Sequence, residues 1–243
     1  MATLFVSDVH LSTQRPEIVA CFARFLQTTA REAESLYILG DLFDEWLGDD
    51  DHKPPHPRIV KALATLAANG VPVHVLRGNH DFLMGNAFES QSGCRLLDEP
   101  AVVDLYGARV LLMHGDILCT RDTEYQAFRK MSRDPKAQRE FLSLPMDVRV
   151  EKAAAIRGRS REAVRLMPED IMDVSPEAVI DAMGEHGVTY IVHGHTHRPA
   201  VHSLDVAGRA AVRIVLGDWY KQDSVLIWSK DGYRLGRIRD LQS

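Results

Sequence analysis

Five short apolar runs punctuate the chain, and each gives way to a small group of Asp, Asn or His residues. Leu4-Phe5-Val6-Ser7 precedes Asp8, Leu36-Tyr37-Ile38-Leu39 precedes Gly40-Asp41, and Val73-His74-Val75-Leu76 precedes Gly78-Asn79. Val110-Leu111-Leu112-Met113 runs into His114, and Tyr190-Ile191-Val192 runs into His193-Gly194-His195-Thr196-His197. Aliphatic and β-branched runs without polar alternation are the pattern of strands buried on both faces. Between the first three lie helical spacings. Pro16 occupies a first-turn position ahead of Phe22, Phe25 and Leu26, and Ile59, Leu63 and Leu66 lead to a stop at Asn69-Gly70. Hairpins are expected over 102–110, around Ala207-Gly208 and at Lys230-Asp231-Gly232.

Strands alternating with helices predict α/β layering, with the polar residues at successive strand ends gathered along one sheet edge. A second sheet packed on the first makes the expected fold a four-layer α/β/β/α sandwich. The stretch 121–168 breaks the strand rhythm, reads as helix throughout and is locally basic, with Arg129, Arg133, Arg149 and Arg157 among its cations. It is expected to be a helical cap inserted within a single domain spanning 1–243.

Composition narrows the picture. A chain of 243 residues buries roughly 70 to 75% of its unfolded surface, enough for one core without staples. Its 45% hydrophobic and 26% charged residues are ordinary for a globular protein. No segment approaches the ~18 apolar residues of a spanning helix. Without a basic leader or cleavage site at Met1-Ala2-Thr3, a cytoplasmic location is expected. Cys21, Cys94 and Cys119 suit neither a disulfide framework nor a CxxC metal site. The net charge of −5 lacks the basic footprint that nucleic acid demands, so no nucleic-acid partner is expected.

Taken alone, Asp8-x-His10, Gly40-Asp41, Gly78-Asn79-His80-Asp81 and Gly194-His195-Thr196-His197 are each weak signals. Together they place hard or borderline metal ligands at the end of every buried strand pattern. Two divalent cations roughly 3.5 to 4 Å apart need a bridging carboxylate, and Asp41 is the candidate bridge. Carboxylate, imidazole and amide ligands with no thiolate favour Mn²⁺, with Fe²⁺, Co²⁺ and Zn²⁺ as alternatives. His193 is expected to pack in the core or support the ligands. His52, His56, His74, His186 and His202 are expected on the surface or in packing. For Asp44-Glu45 and Asp49-Asp50-Asp51 a solvated loop is the default, with orientation of the ligands the alternative. The basic cap either meets anionic lipid or substrate phosphates or is a solvated surface. Its apolar residues, Phe128, Met131, Phe141 and Leu142 among them, either line an acyl groove or anchor the cap.

In this order the motifs D-x-H, G-D, G-N-H-D, H-G-D and G-H-T-H resemble the calcineurin-like metallophosphoesterases, across residues 4–218. Asp8-Val9-His10-Leu11, Tyr37-Ile38-Leu39-Gly40-Asp41-Leu42-Phe43, Trp46-Leu47-Gly48-Asp49-Asp50, Leu118-Cys119-Thr120, Asp170-Ile171-Met172-Asp173-Val174 and His195-Thr196-His197-Arg198-Pro199-Ala200 are similar to the UDP-2,3-diacylglucosamine hydrolases among them. That resemblance implies two-metal hydrolysis of the pyrophosphate of a lipid-linked UDP-sugar in lipid A synthesis, yielding UMP and 2,3-diacylglucosamine 1-phosphate. The basic, apolar cap together with the lipid substrate so implied gives the expectation of a protein peripherally associated with the cytoplasmic face of the inner membrane. The resemblance places one metal on Asp8, His10, Asp41 and His197, and the other on Asp41, Asn79, His114 and His195. The family's substrate contacts fall on Asn79, Asp122, Ser160 and His195; His80 is expected as a further substrate contact of this chain, and Asn79, His80 and His195 are the catalytic candidates. The chain departs from the pattern at His80, Val164 and Met167, where the family usually carries Arg, a polar residue and Lys. The alternative is a related enzyme acting on another phosphodiester or a nucleotide.

Overall fold

The computed structural model describes residues 1–166, 171 and 173–241. β1 (Thr3–Val6), α1 (Pro16–Gln27), β2 (Ser35–Leu39), α2 (His56–Ala68) and β3 (Val73–Leu76) form two successive β-α-β units, followed by α3 (Asn86–Ser92) and the short β4 (Arg95–Leu96). β5 (Ala101–Leu105) and β6 (Ala108–Leu112) make a hairpin. Then come α4 (Thr123–Ser132), α5 (Pro135–Leu142), α6 (Met146–Leu166) and α7 (Pro176–His186). β7 (Tyr190–His193), β8 (Ala200–Val206), β9 (Arg209–Val215), β10 (Ser224–Ser229) and β11 (Gly232–Arg237) complete the chain. The strands form a six-stranded sheet, β11-β10-β1-β2-β3-β4, and a five-stranded sheet, β5-β6-β7-β9-β8.

Side-chain alternation explains why the early runs are apolar on both sides. In β1 and β2, Leu4, Val6, Leu36 and Ile38 face α1 and α2, in the cluster that holds Phe22, Phe25, Ile59 and Leu63. Phe5, Tyr37 and Leu39 face the other way and meet Val110, Leu112, Val192 and Ile214 of the second sheet. The outer face of that sheet, through Leu111, Met113 and Ile191, packs on Val179 and Met183 of α7. Three apolar layers between four structural layers give the expected sandwich. All three predicted hairpins form, at β5–β6, β8–β9 and β10–β11.

The stretch 121–166 is helical and is divided among α4, α5 and α6. Asp134 ends α4 and starts α5 by accepting hydrogen bonds from the backbone N–H of Lys136 (3.0 Å) and Ala137 (2.9 Å), with Pro135 in the first turn. Neither α4 nor α5 buries a residue fully. Charged anchors tie these helices to the body instead. Arg129 bonds Asp116 (2.8 Å) and Glu99 (2.7 Å), Arg133 bonds the Gly78 carbonyl (2.9 Å), and Arg149 bonds Asp50 (2.7 Å) and the Leu47 carbonyl (2.7 Å). Arg157 pairs with Glu45. These arginines are therefore fasteners, a third outcome beside the solvated surface and the lipid contact.

Candidate active site

The loops that leave β1, β2, β3, β6 and β7 converge on one edge. Asp8, His10, Asp41, His195 and His197 all adopt left-handed backbone, with φ of 53°, 49°, 52°, 68° and 55°. Such conformations cost non-glycine residues about 1 to 3 kcal/mol each and persist where the surroundings over-determine them. Here the turns brace one another: the Asp8 N–H donates to the Gly40 carbonyl (3.1 Å) and the His10 N–H to the Asp41 carbonyl (3.0 Å). The buried Asp81 carboxylate accepts from the N–H groups of Gly78 (2.7 Å) and Leu42 (2.7 Å), and at longer range from those of Asp41 (3.3 Å) and Phe43 (3.4 Å). It thereby stitches the β2 turn to the β3 turn. At Gly78 any Cβ would collide with the Asp41 carboxylate, so glycine is required there.

Each of the six carboxylate and imidazole residues predicted as ligands turns a polar atom toward the shared centre. Asp8 Oδ2 accepts from Ser7 Oγ (2.5 Å) and the His195 N–H (3.0 Å). Its Oδ1 accepts no hydrogen bond and lies 3.2 Å from His197 Nε2. Asp41 Oδ1 accepts from the His80 N–H (2.8 Å), while Oδ2 stands 3.6 Å from His10 Nε2 and 3.7 Å from His114 Nε2. Both ring nitrogens of buried His10 lack hydrogen bonds. His114 Nδ1 donates to the Leu39 carbonyl (2.9 Å), leaving Nε2 facing inward. Asn79 Oδ1 joins the group, 2.9 Å from His114 Nε2 and 2.9 Å from His195 Nδ1. Ligand atoms of Asp8, His10 and His197 lie within 4.8 Å of one another, as do those of Asp8, Asp41 and His114 and those of His10, Asp41 and His80. Buried polar atoms without partners are costly unless a ligand completes them, and this oxygen and nitrogen set suits a divalent cation.

Electrostatics agree. Burial opposes charge at Asp8, Asp41, His114, His195 and His197, yet the carboxylates of Asp41, Asp8, Asp116 and Glu99 push His114 up to about 9. Asp8 and Asp41 are held below the ordinary carboxylate range, against burial, by neighbouring histidines. His195 is pushed down to about 4 by burial and by the charge of His114. The cluster therefore holds concentrated negative charge that cations would balance, displacing the His114 proton as they bind.

Around the centre stand residues that the sequence motifs did not flag. Tyr220 Oη lies 3.0 Å from His197 Nδ1, which leaves Nε2 facing the shared centre. Tyr125 stacks near His195, 6.0 Å between centroids, with its hydroxyl on Asp116 (2.6 Å). Glu99 accepts from the His114 N–H (2.6 Å). His193 is buried and bonded at both nitrogens, Nδ1 to the Gly194 carbonyl (2.9 Å) and Nε2 to Arg213 Nε (3.1 Å), which agrees with a supporting role. The His80 ring bonds the Asp44 carbonyl through Nδ1 (2.8 Å); Asp81, its sequence neighbour, serves backbone donors instead. The acidic loop is not simply solvated. Asp49 accepts from the N–H groups of Gly85 (2.9 Å) and Ala87 (2.8 Å), and Asp50 holds Arg149. Asp122 caps α4 through the Tyr125 N–H (2.9 Å). Ser160 and Val164 belong to the last turns of α6, whose side chains lie outside the described residues, as does Met167 altogether.

A family model described as calcineurin-like phosphoesterase matches residues 1–199. The chain belongs to the calcineurin-like phosphoesterases. Curated relatives named UDP-2,3-diacylglucosamine hydrolase include one from Stenotrophomonas maltophilia, 48% identical over 98% of this chain and 99% of its own. Another, from Klebsiella pneumoniae, is 50% identical over 97% of this chain and 98% of its own. A solved structure of Yfce, a phosphoesterase from E. coli, aligns over 99% of this chain and 94% of its own at 18% identity and a TM-score of 0.47. Phosphoesterases of this family work with divalent metals, and the half-satisfied donors of this site fit that requirement.

Proposed function

We propose that this protein hydrolyses the pyrophosphate of UDP-2,3-diacylglucosamine to UMP and 2,3-diacylglucosamine 1-phosphate. The observation that carries this reading is the convergence of Asp8, His10, Asp41, Asn79, His114, His195 and His197 on one edge, each placed by a strand-end turn. It occurs in a chain nearly half identical, end to end, to relatives of that name. Asp8, His10, Asp41 and His197 would hold one cation and Asp41, Asn79, His114 and His195 the other, with Mn²⁺ the best match to the donor set. Bound cations would bring the pKa of water toward neutrality and offset charge in the transition state.

The chain's own groups do the positioning. Leu39, Tyr220 and Ser7 fix the tautomer or rotamer of His114, His197 and Asp8, so their inward atoms need little reorganisation. His80, its ring 4.8 Å from that of His10 and anchored on Asp44, borders the site and contacts the substrate phosphates with Asn79 and His195. Asp122 contributes from the start of α4. Purified protein assayed with Mn²⁺ on the acylated UDP-sugar is expected to release UMP, with chelation abolishing it. Rapid turnover of simple phosphodiesters without UMP release would place the enzyme on another substrate.

The acyl chains would lie against the helical cap, where Met131 is 59% and Leu142 37% exposed, with the protein resting peripherally on the cytoplasmic face of the inner membrane. No helix among the described residues is long and apolar enough to cross a membrane. Sedimentation with anionic vesicles is expected to exceed that with neutral ones and to fall with salt, since the Debye length is about 10 Å at 0.1 M. Equal sedimentation with both would remove the electrostatic part of the idea.

A further inference from the structure

We propose that Arg15, held on the ring of Tyr220, forms an anion-receiving edge of the active site that contacts a phosphate group of the substrate. The inference deepens the phosphohydrolase reading and rests on it.

Arg15 lies immediately before α1 and Tyr220 in the loop between β9 and β10, so nothing in local sequence joins them. They meet beside the metal-ligand cluster. The Tyr220 ring stands 5.9 Å from that of His197 and 6.1 Å from that of His10, centroid to centroid, with its hydroxyl on His197. The Arg15 guanidinium carbon lies 4.3 Å from the Tyr220 centroid, and Lys221 Nζ lies 5.8 Å from it. Attraction to the ring face restricts the guanidinium to one side of the aromatic plane, and the bond to His197 restricts the ring.

What sets Arg15 apart is that its N–H groups are open. Among the described residues no carboxylate lies within 4 Å of its guanidinium, which makes no hydrogen bond. Arg129, Arg133, Arg149 and Arg157, on the helices of the inserted segment, are instead fastened to carboxylates or carbonyls of the body. Their charge is committed to structure. A planar guanidinium with free donors, preoriented on an aromatic face, is the group best matched to bidentate phosphate recognition. Held on Tyr220, whose ring neighbours those of His10 and His197, it can reach a phosphate oxygen while the reacting phosphorus sits over the ligand cluster.

The test is calorimetric titration of Mn²⁺-loaded protein with inorganic phosphate, UMP and uridine, alongside metal analysis. Arg15→Gln is expected to weaken phosphate and UMP by roughly 10-fold, the loss of one charge-assisted hydrogen bond. Uridine affinity and metal content should stay at wild-type levels. Arg15→Lys should fall between, because it keeps the charge and loses the fork. A Gln variant that binds both anions as wild type does, or a wild type that binds neither, overturns the proposal. If the substitution weakens phosphate while wild type neither binds UMP nor releases it from the acylated UDP-sugar, the substrate reading fails and the anion edge stands.

Discussion

Asp41→Asn is expected to reduce hydrolysis by well over 100-fold while leaving the folded state in place. Losing a partner that merely orients a metal ligand costs roughly 10- to 100-fold in affinity or activity. Asp41 is closer to the chemistry than that, because its Oδ2 is the atom from which His10 and His114 are both within 4 Å. If Asp41 bridges two cations as proposed, an amide would not supply the negative charge that the shared carboxylate would place between them. The backbone role survives, since the Asn carbonyl oxygen can still accept from the His80 N–H, now 2.8 Å from Oδ1. Metal analysis should show fewer than two Mn²⁺ per chain, and the far-ultraviolet circular dichroism should match wild type. A variant that kept a tenth of wild-type activity would show that Asp41 is not the bridge.

Much of this site was legible in the sequence because its residues sit where buried strands end. Leu36-Tyr37-Ile38-Leu39 reads as a strand covered on both faces, and the structure covers it with α2 on one side and the second sheet on the other. The polar group after such a strand has few places to go except the sheet edge. Strand-end placement alone singles out Asp8, His10, Asp41, Asn79, His114, His195 and His197 as candidates without any knowledge of strand order, and the structure brings them to one edge. Placement could not find the residues that aim them. Tyr220 reaches His197 from 23 positions away, and Arg213 reaches His193 from 20. Those pairings depend on β7 lying beside β9, a parallel register that no local pattern encodes. The acidic run 49–51 misled for a related reason. Clustered carboxylates usually face water, whereas Asp49 finds the open N–H groups at the start of α3 and Asp50 finds Arg149 from α6, 99 residues on.

Asp81 shows how a residue that touches no substrate can govern the site through stability. It is fully buried and accepts from four backbone N–H groups, two of them at 2.7 Å. Asp81→Ala leaves those donors without partners in a space closed to water, and an unsatisfied buried donor costs about 1 to 3 kcal/mol. Counting the two short bonds alone, the variant is expected to lose about 3 kcal/mol. In a chain of this size 1 kcal/mol moves Tm by roughly 2 to 4 °C, so Tm should fall by roughly 6 to 12 °C in differential scanning calorimetry. Activity should fall further than stability explains, because the turns that Asp81 joins carry Asp41 on one side and Asn79 on the other. Added Mn²⁺ should recover part of the lost Tm, since a ligand that binds the folded state preferentially shifts the equilibrium toward it. A Tm within 2 °C of wild type would mean that the freed N–H groups find new partners, and that the two turns are held together by their apolar surroundings rather than by this carboxylate.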